Sequence, residues 1–207
     1  LVETPTAESV TVTFQQGWNF FALPVVPDSA AITAVLPTFG TEFDQVSRYN
    51  AATDKFEDFV GNASFDKFSQ LEYGRGYQVY CTKAGGTSVT ISGRAPTTPP
   101  STVLTAGSHL VGSTALSNQT RDWQLAGLQA GTDYDTFHRY DSAGGSLVSA
   151  TSVDPGKAYF LHALRSATLT PPLPKNVSTT MTYDAAGDRV KKAAPSAKKA
   201  TAKKATA

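Results

Sequence analysis

The run EYGRGYQV at residues 72–79 returns as DPGKAYFL at residues 154–161. In both runs a glycine-containing turn leads into an alternating segment, which is typical of a β-strand that follows a tight turn. Further segments return in the same order, with GWNFFA at 17–22 as GSHLVG at 107–112, VSRYN at 46–50 as FHRYD at 137–141, and VTI at 89–91 as ATL at 167–169. In chain order the four offsets are 90, 91, 82 and 78 residues. We interpret this order as an internal duplication whose second copy has shorter loops.

The duplication and the changes in composition divide the chain into six segments. They are an N-terminal strand or lead-in (1–13), a first β repeat (14–94), a linker (95–103), a second β repeat (104–174), a terminal hairpin (175–190) and a disordered basic tail (191–207).

The segments between the turns are short and alternate in polarity, so the sequence predicts an all-β fold. One short helix is expected within residues 29–36, before Pro37. Two small β units that each have one apolar face most simply bury those faces together, as a β-barrel or sandwich with pseudo-twofold symmetry. Two independent tandem β domains are the alternative, but the short linker favours one merged unit.

Charge is unevenly distributed. The chain has 18 basic and 17 acidic residues, yet the last 17 residues hold six lysines and no acid, which leaves 12 basic and 17 acidic residues elsewhere. The six are Lys191, Lys192, Lys198, Lys199, Lys203 and Lys204. This tail is too polar to bury a core, and it is a candidate for binding nucleic acid or an anionic surface. A solvated spacer is the alternative, and no apolar run is long enough to span a membrane.

The runs GWNFFALP at 17–24, RYN at 48–50 and GRGY at 74–77 resemble a duplicated module of bacterial and archaeal cell-surface and secreted proteins. That module reads GWN, then LP after three further residues, then YN or YD, then PGKGYW. The first copy departs from it at Tyr73 and Gln78, and the second copy at Ser108 and His109. The resemblance implies a structural or adhesive part rather than an enzyme.

A shorter resemblance lies near the C-terminus. YDAAGDRV at residues 183–190 is similar to one unit of the YD repeats of Rhs-type shell proteins. It implies a fragment associated with a shell or an injection apparatus, with a polyanion-binding tail.

Catalytic and metal-binding groups do not form a recognisable pattern in the sequence. Cys81 lies in an alternating segment and is expected to be a structural thiol. His109, His138 and His162 fall on different predicted strands, without the close spacing of metal ligands on one element. We therefore predict no enzyme, no metal site and no cofactor, although calcium bound between acidic loops is an open alternative.

The leading hypothesis is a non-catalytic structural or adhesive β module of a secreted or surface assembly, acting through protein partners or self-assembly. The alternative is a lectin-like module that binds glycans through exposed aromatic side chains. Candidates for that role are Trp18, Tyr49, Trp123 and Tyr140. Because the chain begins at Leu1, we expect a processed product or a piece of a longer protein.

Overall fold

The structure is a computed structural model that describes residues 7–174. Within these residues the chain forms fourteen strands and two short helices, and all strand pairs between named strands are antiparallel. The all-β prediction is confirmed. The predicted terminal hairpin (175–190) and basic tail (191–207) lie outside the described residues.

The first repeat contains six strands and one helix. They are β1 (Ala7–Phe14), β2 (Gly17–Ala22), α1 (Ile32–Val35), β3 (Phe43–Asn50), β4 (Lys55–Phe59), β5 (Gly76–Cys81) and β6 (Thr87–Arg94).

The second repeat follows the same order, with two additional strands of two residues each. Its elements are β7 (Thr102–Leu104), β8 (Gly107–Gly112), β9 (Gln119–Thr120), α2 (Arg121–Gln124), β10 (Tyr134–Asp141), β11 (Ser146–Ser149), β12 (Ser152–Val153), β13 (Ala158–Ala163) and β14 (Ala167–Leu169).

The two repeats have the same sheet topology, apart from an additional two-stranded sheet of β9 and β12 in the second repeat. One four-stranded sheet has the order β2-β5-β3-β4, and the other has the order β8-β13-β10-β11. The register shifts once in each sheet, between Phe43 and Gln45 and between Tyr134 and Thr136. Each repeat also has a separate two-stranded ribbon, β1-β6 or β7-β14. None of the described sheets closes into a barrel, so of the two forms left open by the sequence, barrel or sandwich, the barrel is not formed.

Strand β1 crosses the predicted start of the first repeat at residue 14, since it pairs along its whole length with β6, the last strand of that repeat. The apolar side of this ribbon packs on the core. Its other side carries three cross-strand hydroxyl pairs at 2.8 to 3.0 Å, Ser9–Ser92, Thr11–Thr90 and Thr13–Ser88.

The sequence predicted one short helix, whereas the structure has two. The second helix, α2, begins after Thr120, whose hydroxyl accepts a hydrogen bond from the Trp123 N–H at 3.2 Å. A helix of four residues is too short to show helical periodicity, so only this N-cap marks it in the sequence.

Each repeat buries a core of its own. The inward side chains of β5 are Tyr77, Val79 and Cys81, and their counterparts on β13 are Tyr159, Leu161 and Ala163. The hydroxyls of Tyr77 and Tyr159 each accept a hydrogen bond from the backbone N–H that opens the preceding turn, at 2.7 and 2.8 Å. Burial raises the pKa of both tyrosines to about 12. The same tyrosine therefore holds the same turn in both copies.

A smaller third core joins the repeats. It contains Phe20 and Ala22 of the first repeat and Leu110 and Ala158 of the second, with Tyr49, Tyr140 and Phe160 packed against it. The contacts are reciprocal, because the Ala22 N–H donates to the Gly156 carbonyl at 3.1 Å and the Gly112 N–H donates to the Gly74 carbonyl at 2.9 Å. The repeats thus keep separate cores and still pack together, which lies between the merged unit and the tandem domains considered from the sequence.

Small residues allow this close approach. A Cβ atom added at Gly76 would lie 2.7 Å from Cγ of Leu110 and 2.9 Å from Cβ of Ala158. Since real Cβ contacts are longer than this, a larger residue at position 76 would push the repeats apart.

Candidate functional site

Two grooves lie between the repeats. The first groove encloses about 440 Å³ and is lined by residues 49–52 and 72–75 from one side and by residues 100–103, 105 and 109–111 from the other. The second groove encloses about 270 Å³ and is lined by residues 139–143, 154 and 157–159 on one side and by Thr13, Gln15, Asn19 and Phe20 on the other.

The two grooves are counterparts produced by the duplication. Each is bordered by the hairpin turn and the glycine turn of one repeat and by the first two strands of the other repeat. The corresponding pairs are Tyr49 and Tyr140, Asn50 and Asp141, Glu72 and Asp154, Arg75 and Lys157, His109 and Asn19, and Leu110 and Phe20. The reciprocal packing that makes the third core therefore also makes two related sites.

In the second groove, side chains of one repeat contact the other repeat. Nζ of Lys157 donates a hydrogen bond to the carbonyl oxygen of Thr13 at 2.9 Å. Burial lowers the pKa of Lys157, and the charge of Asp154 partly opposes this. The ring of Tyr140 stacks on Phe20, with 5.1 Å between ring centres and an interplanar angle of 22°.

In the first groove, the equivalent side chains make different contacts. Nη1 of Arg75 turns to its own repeat and lies 3.3 Å from Oε1 of Glu72. The hydroxyl of Tyr49 donates to the carboxylate of Asp54. Burial, followed by that carboxylate, raises the pKa of Tyr49 to about 12. At this pKa the phenol keeps its proton at neutral pH, so it acts as a hydrogen-bonding group and not as a base.

The histidine in the first groove supports a turn. Asn19 in the first repeat accepts a hydrogen bond from the Gln15 N–H at 2.9 Å and donates to the Gln15 carbonyl at 2.8 Å. At the corresponding place, Nε2 of His109 lies 3.1 Å from the Thr105 nitrogen and 2.8 Å from its carbonyl oxygen. His109 therefore takes over the contact of the asparagine in the GWN run.

The structure does not bring the four predicted aromatic residues together. Tyr49 lies in the first groove and Tyr140 in the second. Trp18 is half-buried on β2 and meets Tyr80 of β5 edge to face at 5.0 Å. Trp123 is half-buried on α2 and packs against the core of the second repeat. The six predicted tail lysines, Lys191, Lys192, Lys198, Lys199, Lys203 and Lys204, lie outside the described residues.

The cysteine and the histidines considered in the sequence analysis are also dispersed. Cys81 is fully buried in the core of the first repeat. Nδ1 of His162 lies 2.8 Å from a carboxylate oxygen of Asp135. Among residues 7–174, no three His, Cys, Asp or Glu side chains are grouped in a way that could hold a metal ion. No helix in the same part of the chain is long and apolar enough to cross a membrane.

A pair of ionic contacts was missed in the sequence. Lys83 forms a salt bridge with Glu42 in the first repeat, and Arg165 lies 2.7 Å from Asp133 in the second. We call these contacts the strand clasps, because each joins the residue before β3 or β10 to the residues after β5 or β13. The two acids lie 91 residues apart in the sequence and the two bases 82 residues apart. These are the same offsets as those between two of the repeated motifs, so the clasps occupy corresponding positions. Extending the comparison of the two copies would have found them.

The strand clasps hold their carboxylates in the charged form. Lys83, followed by Thr87, lowers the pKa of Glu42 through hydrogen bonds. For Asp133 the largest cause is the Gln129 N–H, which donates to its carboxylate at 2.7 Å, followed by Arg165, and both lower the pKa.

Comparison of the chain with protein-family models, with curated proteins and with solved structures finds no match.

Proposed function

We propose that the chain is a non-catalytic structural or adhesive β module of a secreted or surface-exposed assembly, and that it acts by packing against protein, including copies of itself.

The features that both repeats share support this proposal. Both keep the tyrosine that holds the glycine turn, the bulge in the four-stranded sheet and the strand clasp. Each of these features fixes the backbone. Duplication has therefore preserved a framework, as we expect of a module whose shape is what matters.

The observation that carries the proposal is a pair of equivalent edge strands. Strands β4 and β11 each lie at the outer end of a four-stranded sheet. Phe56 on β4 is 39% exposed and Leu147 on β11 is 47% exposed. They occupy corresponding positions, opposite Tyr49 and Tyr140. An edge strand with an exposed apolar side chain is a template for pairing with another chain, and β4 and β11 present such edges at equivalent places in the two repeats.

The experiment measures association of the full chain. We expect light scattering after size exclusion to show a mass that rises with protein concentration. The double variant Phe56→Lys/Leu147→Lys should shift the chain to the monomer, since charged side chains on edge strands oppose pairing.

The matched control is Phe65→Lys, which places the same charge on a loop side chain that is 66% exposed. This variant should associate like the parent chain. A chain that stays monomeric at the highest concentration, or equal association of all variants, would contradict packing through these edges.

A further inference from the structure

The two grooves have the same origin but are not equally filled. In the second groove, Lys157 reaches Thr13 of the other repeat, and Phe20 covers one face of Tyr140. The first groove has Arg75 and Leu110 at the corresponding positions, and it encloses about 440 Å³ against about 270 Å³. Side chains that join the two repeats thus take up part of the second groove, and the first groove keeps the larger free volume.

Two substitutions keep the first groove open. Arg75 pairs with Glu72 on its own turn instead of reaching across the groove. Leu110 is smaller than Phe20, so Tyr49 has no stacked ring at the place where Tyr140 has one. The aromatic neighbours of Tyr49 are Phe56 and Phe160, which meet it at steep interplanar angles of 64° and 69°.

The lining of the first groove mixes polar and apolar side chains and is close to neutral. Its charged side chains are Glu72 and Arg75, which balance each other, and beside them lie the phenol of Tyr49, the amide of Asn50 and the hydroxyls of Ser101, Thr102 and Thr105. A groove of this volume lies within the range of small-ligand sites, about 300–1,000 Å³. An aromatic ring among hydrogen-bonding groups of both signs suits a ligand with apolar C–H faces and several hydroxyls.

An extended peptide fits this groove less well. Strand β8 is the edge strand that borders it, but the turn of the other repeat already pairs with its end. Arg75 forms an antiparallel bridge with Val111, and the Gly112 N–H donates to the Gly74 carbonyl. A peptide that ran along β8 would have to displace these contacts.

We propose that the first groove binds a neutral saccharide of one or two sugar units. The Tyr49 ring packs against a sugar face. Glu72 accepts a hydrogen bond from one sugar hydroxyl, and Arg75 donates a hydrogen bond to a neighbouring one. Glycan binding at this site does not require association through β4 and β11, so the two proposals can be tested separately.

The experiment is a glycan array that carries neutral, sialylated and sulfated glycans, followed by titration of the best neutral disaccharide against the full chain. We expect binding of neutral glycans. Glu72→Gln and Arg75→Ala should each weaken it by about tenfold, the loss that follows removal of a charged hydrogen bond. Both side chains are partly exposed, at 59% and 34%, so these variants should fold normally.

A filling variant tests the groove from the opposite direction. Leu110→Phe copies Phe20 and should abolish binding. Leu110 is 7% exposed and belongs to the third core, so the melting temperature of this variant is measured as well, and Arg75→Ala tests the same groove without altering that core. The matched control is Asp141→Asn, which makes the second groove resemble the first at the position of Asn50 and should leave the affinity unchanged.

Three results would overturn the proposal. They are no binding to any glycan, binding restricted to charged glycans, and binding that survives Arg75→Ala and Leu110→Phe. The single edge variant Leu147→Lys separates the two hypotheses, because Leu147 lies opposite Tyr140 and not beside Tyr49. Weakened association with retained glycan binding supports this site independently.

Discussion

Gln124 is a fully buried polar side chain whose counterpart in the first repeat is the apolar Val35, since each is the last residue of a short helix. Its carbonyl accepts a hydrogen bond from the Thr114 N–H at 3.2 Å, and its amide donates to the Gly112 carbonyl at 3.1 Å. The residue that corresponds to Thr114 in the first repeat is Pro24, which has no N–H. The two differences between the copies therefore compensate for each other.

Gln124→Val should lower the free energy of unfolding by about 1–3 kcal/mol, because it leaves the buried Thr114 N–H without an acceptor. Adding Thr114→Pro removes that N–H and should recover part of the loss. Urea denaturation of the two single variants and the double variant measures the coupling.

The control for this cycle is Gln129→Ala, an exposed glutamine whose change should stay within about 0.5 kcal/mol. If the double variant is no more stable than Gln124→Val, pairing with the buried Thr114 N–H is not the reason why a glutamine is buried at position 124.

At the scale of the elements, the strand clasps fix where the central strands begin and end. Glu42 precedes β3 and Lys83 follows β5, while Asp133 precedes β10 and Arg165 follows β13. Because β3 and β5 are neighbours in the sheet, as are β10 and β13, each clasp ties together the ends of an antiparallel pair.

The clasps predict a pH dependence with a defined sign. The pKa of each clasp carboxyl is lower in the folded chain than in the unfolded chain, so the clasp stabilises the fold above the unfolded pKa and is lost as the pH falls through the folded value. Stability should therefore decrease below about pH 4. The variant Glu42→Gln/Asp133→Asn should lose less stability between pH 7 and pH 3 than the parent chain, as measured by denaturant midpoints.

Asp44→Asn is the matched control, since Asp44 is exposed beside Glu42. It should show the same pH profile as the parent chain. A profile of the clasp variant that coincides with that of the parent would show that other carboxyls cause the acid sensitivity.

Much of the element order could be predicted from the sequence. The alternating segments and their glycine turns locate β2, β5, β8 and β13, and the return of these motifs predicts the duplication. Helix α2 was missed because its four residues show no helical period. The sequence left a barrel and a sandwich as alternatives, and no barrel closes among the described residues because each repeat buries its own core. The grooves depend on how two folded repeats meet, and strand periodicity carries no information about that contact.

At the scale of the whole molecule, residues 7–174 form three cores, and the third lies between the two repeats and joins them. Phe160 is its central aromatic residue, with ring centres 5.7 Å from Phe20 and 5.4 Å from Tyr49. These contacts cross from one repeat to the other, so we expect the third core to couple the unfolding of the two larger cores.

Phe160→Ala should therefore separate the unfolding of the two repeats. We expect calorimetry of the parent chain to give one transition whose calorimetric and van't Hoff enthalpies agree, and that of the variant to give a broader or split transition. Phe65→Ala, which truncates an exposed ring, should unfold like the parent. A single sharp transition in Phe160→Ala would show that the backbone bonds between the repeats are sufficient for coupling.

The ribbon of β1 and β6 has a consequence for how the protein is made. Its hydroxyl pairs join residues 75 to 83 positions apart. During synthesis at about 5–20 residues per second, β1 must wait roughly 4–16 s before its partner strand has been translated. Throughout that interval the apolar side chains Val10, Val12 and Phe14 have no partner strand. The nascent chain must therefore remain soluble with these side chains exposed, or be bound by a chaperone, until the first repeat is complete.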